Sequence, residues 1–340
     1  MTPLSPGPGE PPPERIRLGH GGGGSLMQAL IDQDLRPLYA DPDQLLHDAA
    51  TLRLPPGELA FTTDSYVVHP LEFPGGDIGE LAIIGTANDL AMAGARPVCI
   101  SVALILEEGL ERSCLRRIVA SMGRAAAACG VTIVTGDTKV VERGKADRLF
   151  ITTSGIGVVE SPTPIGPAAI AVGDQLLVSG DLGRHGLAIL AARHGLALEP
   201  PITTDCAPLW PAVEACLQTG VRIHCLRDLT RGGLASALQE LAKAAAVEVH
   251  LQEERIPVLP AVARACELLG MEPLHLANEG RFVAIVPASH GQRATEVLGP
   301  LGARWIGEIR QGDPRVVVRT RYGSERLLVP PSGELLPRIC

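Results

Sequence analysis

A short run of prolines and glycines near the middle of the chain is the feature that most restricts its fold. The run comprises Pro162, Pro164, Gly166 and Pro167. Proline lacks the backbone N–H group that helix interiors and central strands use, so prolines at this spacing mark a connection between structural units. The chain has 340 residues, which suits two domains better than one. We therefore expect two domains joined by this segment.

Strands and helices are mixed along the chain without the regular alternation of a parallel βαβ fold. In the first half, Leu59–Val68, Val98–Leu106 and Leu149–Val159 are typical of strands, whereas Ile78–Gly94 and Glu111–Cys129 have helical spacing. The second half shows the same mixture of segments. The sequence therefore predicts an α+β (mixed α/β) fold for both domains.

The boundaries of these units follow from local composition. Residues 1–17 form a proline-rich leader that we expect to be disordered, because it holds almost no apolar side chains. The two domains are predicted at 18–160 and 168–325, and a flexible C-terminal tail is predicted at 326–340. Overall, 46% of the residues are hydrophobic and 20% are charged, which is typical of a globular protein.

Charge and hydropathy argue against nucleic-acid and membrane partners. The formal net charge is −8, from 30 basic and 38 acidic residues, so no basic surface for nucleic acid is indicated. No segment has the apolar length that crosses a bilayer, and the N-terminus lacks a signal-peptide pattern. We expect a cytoplasmic protein, which could still bind an anionic nucleotide through metal ions and helix N-termini.

The chain ends in a cysteine, Cys340, after Pro337, Arg338 and Ile339. An extended segment from Pro330 to the end could carry this thiol roughly 33–36 Å, into a distant pocket. A prenylation signal would place the cysteine four residues from the end, where proline stands. The simple alternative is a frayed terminus. Together with the motifs below, the terminal thiol predicts a carrier of a chemical group.

A glycine run at Gly21–Gly24, preceded by His20, leads into a predicted helix that starts near Ser25. Free N–H groups and the helix dipole favour phosphate at such a position. The run lacks the Gly-Lys-Ser/Thr ending of a P-loop, and four glycines are also typical of a mobile linker. The glycines alone are therefore a weak indication of a phosphate site.

Three aspartates lie at junctions of strands and helices or inside an apolar helix, namely Asp64, Asp89 and Asp137. A carboxylate in the Ala/Ile/Leu-rich segment around Asp89 is costly to bury unless it is paired. Magnesium-bound phosphates take a few carboxylates and otherwise water. The three residues could therefore hold Mg²⁺–ATP together, although each alone is also explained as a turn or capping residue.

Further polar residues could take part in proton transfer or phosphate binding. Lys139 lies two residues after Asp137, on the same side if the strand continues. Asp228 precedes a predicted helix, and Glu279 precedes a strand, where it is either a general base or a turn residue. His185 and His194 are nine residues apart, which does not match a helical metal pair, so we assign them no role in the site.

These motifs resemble the HypE family of hydrogenase maturation factors, within the PurM/AIR-synthetase-like superfamily. The segments that carry the resemblance are Gly19–Gly24, Thr62–Val68, Phe73–Gly79, Gly85–Ala91, Val134–Val141, Arg227–Gly233, Ala277–Gly280 and Pro337–Cys340. The aspartate and glycine patterns are shared with selenophosphate synthetase and other relatives. The tail that ends in cysteine narrows the resemblance to HypE.

The resemblance implies two PurM-like α+β domains, a homodimer, and an ATP cleft lined largely by the N-terminal domain. It also implies that a HypF-like carbamoyltransferase loads the terminal thiol, that ATP drives dehydration of the carboxamide to a thiocyanate, and that a HypC–HypD complex passes the cyanide to the iron of [NiFe]-hydrogenase. Cys340 would be the carrier, and Glu279 and Lys139 would move protons. The residues expected to bind the nucleotide are His20, Gly21, Gly22, Gly23, Gly24, Asp64, Asn88, Asp89, Asp137 and Asp228. Those expected to hold Mg²⁺ are Asp64, Asp89, Asp137 and Asp228.

Two other functions are compatible with parts of the sequence. A small-molecule phosphotransferase of the same superfamily, similar to selenophosphate synthetase, would use the aspartates and glycines but leave Cys340 without a role. It would also need a reactive residue near the N-terminal loop, where residues 1–25 contain no cysteine. A non-enzymatic thiol carrier would use Cys340 but leave the ATP-site pattern without one.

Overall fold

The computed structural model describes residues 14–39, 48–329 and 338–340. Within the first half, helices α1 to α3 and strands β1 to β6 follow the chain. Their bounds are β1 (Leu59–Tyr66), β2 (Glu72–Phe73), β3 (Gly76–Asp77), β4 (Ala95–Glu107), β5 (Thr132–Val141), β6 (Leu149–Val159), α1 (Ser25–Leu30), α2 (Ile78–Met92) and α3 (Arg112–Cys129).

Four of these strands form one sheet in the order β1-β6-β4-β5, in which only the β4–β5 pair is parallel. Helices α2 and α3 pack together, and α2 also contacts β1, β4 and β6. The side chain of Asp77 starts α2 by accepting hydrogen bonds from the N–H groups of Gly79 and Glu80. Almost all of α2 is buried, because the sheet, α3 and elements of the second half surround it.

The second half forms a seven-stranded sheet in the order β13-β12-β9-β11-β7-β10-β8. Apolar clusters cover both faces of this sheet, with α6 on one side and α5 and α8 on the other. The bounds of its elements are β7 (Gln175–Val178), α4 (Arg184–His194), α5 (Trp210–Gln218), β8 (Cys225–Asp228), α6 (Gly233–Ala245), β9 (Glu248–Gln252), α7 (Pro260–Leu269), β10 (Phe282–Val286), α8 (Ala288–Val297), β11 (Arg304–Arg310), β12 (Arg315–Arg319) and β13 (Glu325–Leu327).

The predicted mixed fold is confirmed, and the strand Leu149–Val159 is reproduced to the residue. The sequence did not indicate α5, α7, β12 or β13. Asp228, expected before a helix, is the last residue of β8 and precedes α6, which begins at Gly233. Among the described residues, no helix is both long and apolar enough to cross a membrane.

The predicted leader and the predicted tail both include residues that belong to the folded domains. Residues 14–17, assigned to a disordered leader, pack on the first domain: Ile16 is buried and its N–H group donates to the carbonyl of Leu110. Residues 326–329, assigned to a flexible tail, begin inside β13, and Leu328 is buried with its N–H group donating to Val316. The rest of the leader and residues 330–337 lie outside the described residues.

Candidate active site

The two halves meet at Glu279, which lies on the segment before β10. Its side chain is only 3% exposed, and its N–H group donates to Oδ1 of Asp205 at 3.2 Å. The carboxyl oxygen Oε1 finds no hydrogen-bond partner among the described residues. The next residue must be small, because a Cβ atom on Gly280 would lie 1.9 Å from the carbonyl oxygen of Asp205. The fold therefore buries an unpaired carboxyl group at the junction of the domains.

Asn88 on α2 holds this junction together. Its Nδ2 donates to the carbonyl oxygens of Glu279 and Ala207, both at 3.1 Å, and its Oδ1 accepts from the N–H group of Leu209 at 2.8 Å. All of its hydrogen-bonding groups are thus engaged by the second domain. In this structure the side chain of Asn88 positions the backbone of Glu279.

Three aspartates share the cleft with Glu279. Asp64 comes from β1, Asp89 from α2 and Asp228 from the end of β8. Burial, followed by the charges of Asp228 and Asp64, raises the pKa of Asp89 to about 7, although Thr62 Oγ1 donates to it at 2.8 Å. Burial is also the main cause that raises the pKa of Asp228. For Glu279, burial and then these aspartates and Asp205 raise the pKa well above its usual range. The cleft is strongly acidic and would be stabilised by a cation.

This crowding predicts how stability depends on pH. A raised carboxyl pKa means that the folded protein keeps a proton that the unfolded chain releases, so the free energy of unfolding falls as pH rises from about 4 to about 7. Asp89→Asn should reduce this fall, measured by urea unfolding at about pH 5 and about pH 7.5. The exposed Asp313→Asn should behave like the parent protein. An unchanged pH dependence in Asp89→Asn would contradict the burial that we assign to this carboxyl group.

The last three residues of the chain lie in the same cleft. The carbonyl oxygen of Cys340 accepts from the N–H group of Val67 at 3.1 Å, and Ile339 is buried in the core of the first domain. The thiol of Cys340 lies 3.8 Å from Nη2 of Arg231. Burial, then Glu279, raises the pKa of this thiol to about 11, against the opposing effect of Arg231. The docked cysteine is therefore a neutral thiol beside the buried carboxyl group.

The other predicted residues lie at the opposite edge of the first sheet. Asp64 on β1 is in register with Thr153 on β6, then with Val102 on β4 and Gly136 on β5. Three strand spacings separate the two edges by roughly 14 Å. Within one chain, the structure therefore keeps Asp137 and Lys139 apart from Asp64, although the sequence predicted one shared site for them.

The two side chains at that edge pair with each other instead. Nζ of Lys139 lies 2.7 Å from Oδ2 of Asp137. The glycine run lies at the same edge, because a Cβ atom on Gly21 would come within 3.0 Å of Cβ of Val140. His20 is buried, and its Nδ1 bonds to the backbone of Arg17. Gly23 and Gly24 have open space where a side chain would stand, whereas a Cβ atom on Gly22 would lie 3.5 Å from the carbonyl oxygen of Gly19.

Several contributors to the cleft escaped the sequence analysis. Asp205 and Arg231 carry no spacing signal of their own, although Arg231 falls in a segment that supported the resemblance. His185, to which we assigned no role, is fully buried and contacts the tail.

Within residues 14–39, 48–329 and 338–340, no group of three or more His, Cys, Asp or Glu side chains is arranged to hold a metal ion. Magnesium often takes only one or two carboxylates beside water and phosphate, so the acidic cleft still fits Mg²⁺–ATP.

Comparison with known proteins agrees with this architecture. Residues 46–159 match the N-terminal domain of AIR synthase related proteins, and residues 171–319 match the C-terminal domain. Carbamoyl dehydratase HypE from Rhodobacter capsulatus is 47% identical over 335 residues, covering 96% of this chain and 98% of that protein. The chain belongs to the HypE family. The HypE of Escherichia coli K12 is 45% identical, with coverage of 96% and 99%.

Solved HypE structures support the same conclusion. A HypE structure in complex with ATP has a TM-score of 0.91 at 44% identity, covering 95% of this chain and 99% of that one. A HypE–HypF complex gives a TM-score of 0.79 at 42% identity, with coverage of 91% and 100%. The predicted PurM-like architecture and the enzyme class of the carbamoyl dehydratases are thereby confirmed.

Proposed function

We propose that this protein uses ATP to dehydrate a carbamoyl group carried on Cys340, forming a thiocyanate that supplies the cyanide ligand of [NiFe]-hydrogenase. The observation that carries the proposal is the position of the terminal thiol, inside the acidic cleft beside Glu279. A HypE relative of 44% identity was solved with ATP, which supports the nucleotide as co-substrate. We propose that the reaction takes place in the cytoplasm, where ATP is available.

The chemistry needs phosphate because an amide oxygen is a poor leaving group. The carboxamide oxygen attacks the γ-phosphorus of ATP, ADP leaves, and the nitrogen loses one proton to give a phosphorylated imidate. Loss of the second N–H proton and cleavage of the C–O bond then give the nitrile and inorganic phosphate. The sum converts S-carboxamide and ATP into thiocyanate, ADP and phosphate. The protein must therefore hold two substrates in contact and accept protons from one nitrogen atom.

Glu279 is the base that the cleft offers for these protons. Its Oε1 is unpaired among the described residues, and its charge contributes, after burial, to the raised pKa of the Cys340 thiol. The aspartates that raise its pKa, Asp64, Asp89 and Asp228, are the residues that would hold Mg²⁺ with ATP. The pKa of Glu279 is raised first by burial and then by these neighbouring carboxylates. The bound cation would shield the phosphate charge and offset the contribution of the carboxylates, which would lower the pKa of Glu279 and favour the deprotonated form that accepts a proton.

Lys139, Asp137 and the glycine run lie far from the acidic cleft of their own chain, and a second copy of the chain would supply them. The face of the first sheet turned away from α2 exposes apolar side chains, since Phe61 is 70%, Leu59 50% and Ile105 38% exposed. Packing two such faces in a homodimer would bury them. We propose that this dimer brings Lys139, Asp137 and the glycine run of one protomer to the acidic cleft of its partner. Sedimentation of the intact protein measures its mass in solution and so tests whether it forms this dimer.

Loading of the thiol requires the tail to leave the cleft. The docked thiol has a pKa of about 11, so it is a poor nucleophile, and its position is half-buried. We propose that a HypF-like carbamoyltransferase modifies Cys340 while the tail is released, which the solved HypE–HypF complex of a relative supports. Transfer of the cyanide to a HypC–HypD complex belongs to the same proposal.

The test is to carbamoylate Cys340 of the intact protein, add Mg²⁺ and ATP, and weigh the C-terminal peptide. We expect the peptide to lose the mass of one water molecule only when ATP is present. Phosphate appearing on a small molecule, with the peptide unchanged, would instead support a phosphotransferase. If neither the peptide mass nor any small molecule changes, the result would support a passive thiol carrier.

A further inference from the structure

Each of the last three carbonyl groups of the chain accepts a hydrogen bond from a different residue. The carbonyl of Cys340 accepts from the N–H group of Val67 at 3.1 Å. The carbonyl of Ile339 accepts from Nε2 of His185 at 3.0 Å, and that of Arg338 accepts from Nη2 of Arg193 at 2.7 Å. Both side-chain donors belong to α4 of the second domain, whereas Val67 follows β1 of the first. The tail is therefore held by both domains.

The contact with His185 is the buried one. His185 is 0% exposed, and Phe73 packs edge-on against its ring with centroids 5.6 Å apart. A carbonyl oxygen can only accept, so Nε2 carries the hydrogen atom. In the neutral ring, which burial favours by lowering the His185 pKa, Nδ1 then accepts from the hydroxyl group of Thr204 at 2.8 Å. Thr204 Oγ1 in turn accepts from the N–H group of Cys206 at 3.1 Å.

This chain of hydrogen bonds has only one self-consistent direction. With the tail docked, Nε2–H donates to the carbonyl of Ile339, so Nδ1 of the neutral ring accepts from the hydroxyl group of Thr204. The Thr204 oxygen still has a lone pair that accepts from the N–H group of Cys206. The hydroxyl group therefore favours the ring tautomer that donates to the tail.

We propose that His185, oriented by Thr204, is the receptor that seats the tail and so positions the Cys340 sulfur beside Glu279. His185 is a positioning residue, because it contacts the backbone of Ile339 and not the reacting atoms. The purpose of this seat depends on the proposed function, but the seating itself does not.

A weaker contact at the surface supports the same seat. Nη1 of Arg338 lies 2.6 Å from Oδ2 of Asp147, and Nε of the same arginine donates to the carbonyl of Val67 at 3.0 Å. Both charged side chains are about a third exposed, so this ion pair contributes little by itself. The buried bond of His185 is expected to dominate, because losing it leaves a buried carbonyl without its donor.

The experiment measures tail docking without any reaction. The intact protein, without nucleotide, is alkylated with a thiol reagent, and the rate is followed for each cysteine by mass spectrometry. His185→Leu should raise the rate at Cys340 by about tenfold, the factor that corresponds to 1.4 kcal/mol. His185→Gln, whose amide nitrogen can replace Nε2 as donor, should stay near the parent rate. His194→Gln, at the far end of α4, is the matched control and should change nothing.

Two buried cysteines of the second domain, Cys216 and Cys266, report on folding in the same samples. If they also react faster in His185→Leu, then Thr204→Val decides, since it removes only the hydroxyl group that orients the ring. A faster rate at Cys340 alone in a folded His185→Leu, or in Thr204→Val when His185→Leu does not fold, supports the seat. A parent rate at Cys340 in the variant that decides would overturn it, while leaving the ATP-dependent reaction untouched.

Discussion

Glu279→Gln is expected to bind ATP and to accept the carbamoyl group but to stop at the carboxamide, with dehydration slowed by about 100-fold or more. Glutamine keeps the size and the buried position of the side chain but cannot accept the amide protons. The backbone contacts of Glu279 with Asn88 and Asp205 are unchanged by the substitution. The measurement is a single turnover of the carbamoylated protein with Mg²⁺ and ATP, followed by the mass of the C-terminal peptide.

The matched control for this variant is Glu267→Gln, an exposed glutamate on α7. It should dehydrate the carboxamide at the parent rate, because it lies outside the acidic cleft. ATP binding by Glu279→Gln should match that of the parent protein. Unimpaired turnover in Glu279→Gln would remove this residue from the reaction and leave the cleft without a base.

Cys340→Ala should abolish modification of the chain completely and leave ATP binding nearly intact. The thiol is the only group in the tail segment 338–340 that can hold the carbamoyl carbon through sulfur, so no partial activity is expected. Ile339 and its contact with His185 remain, and the tail should still dock. The measurements are the mass of the intact protein after incubation with the carbamoyltransferase, and nucleotide binding by calorimetry.

A second thiol in the same region provides the comparison for this prediction. Cys206 is half-buried, and Glu279 raises its pKa as it does that of Cys340, after burial. Cys206→Ala should be carbamoylated and dehydrated like the parent protein. If Cys206→Ala lost the modification while Cys340→Ala kept it, the carrier would be Cys206 and not Cys340.

The acidic cleft concentrates carboxyl groups with altered protonation around the end of the chain. The carboxyl groups of Asp89, Asp228 and Glu279 all have raised pKa values, with burial as the first cause for each and neighbouring carboxylates as a further cause. A cation bound among them would lower these pKa values. The tail adds the sulfur of Cys340, which lies 3.8 Å from Nη2 of Arg231.

The sequence alone determined much of this protein. Segment periodicity predicted the main strands and helices of the first domain, since apolar spacing follows directly from the geometry of each element. The prolines and glycines at 162–167 indicated the division into two units. The position of Cys340 and the motifs around Asp64, Asp89 and Glu279 indicated the family, because these motifs are short and can be recognised in the sequence itself.

Only the tertiary structure decided which of these residues meet. Strand order places Asp64 and Asp137 on opposite edges of one sheet, and no local pattern in the chain encodes that order. The side chain of Asn88 joins the two domains, and His185, to which the sequence analysis gave no role, contacts the tail. Such roles depend on contacts between residues more than 100 positions apart. Long-range packing determines those contacts, and short-range spacing does not.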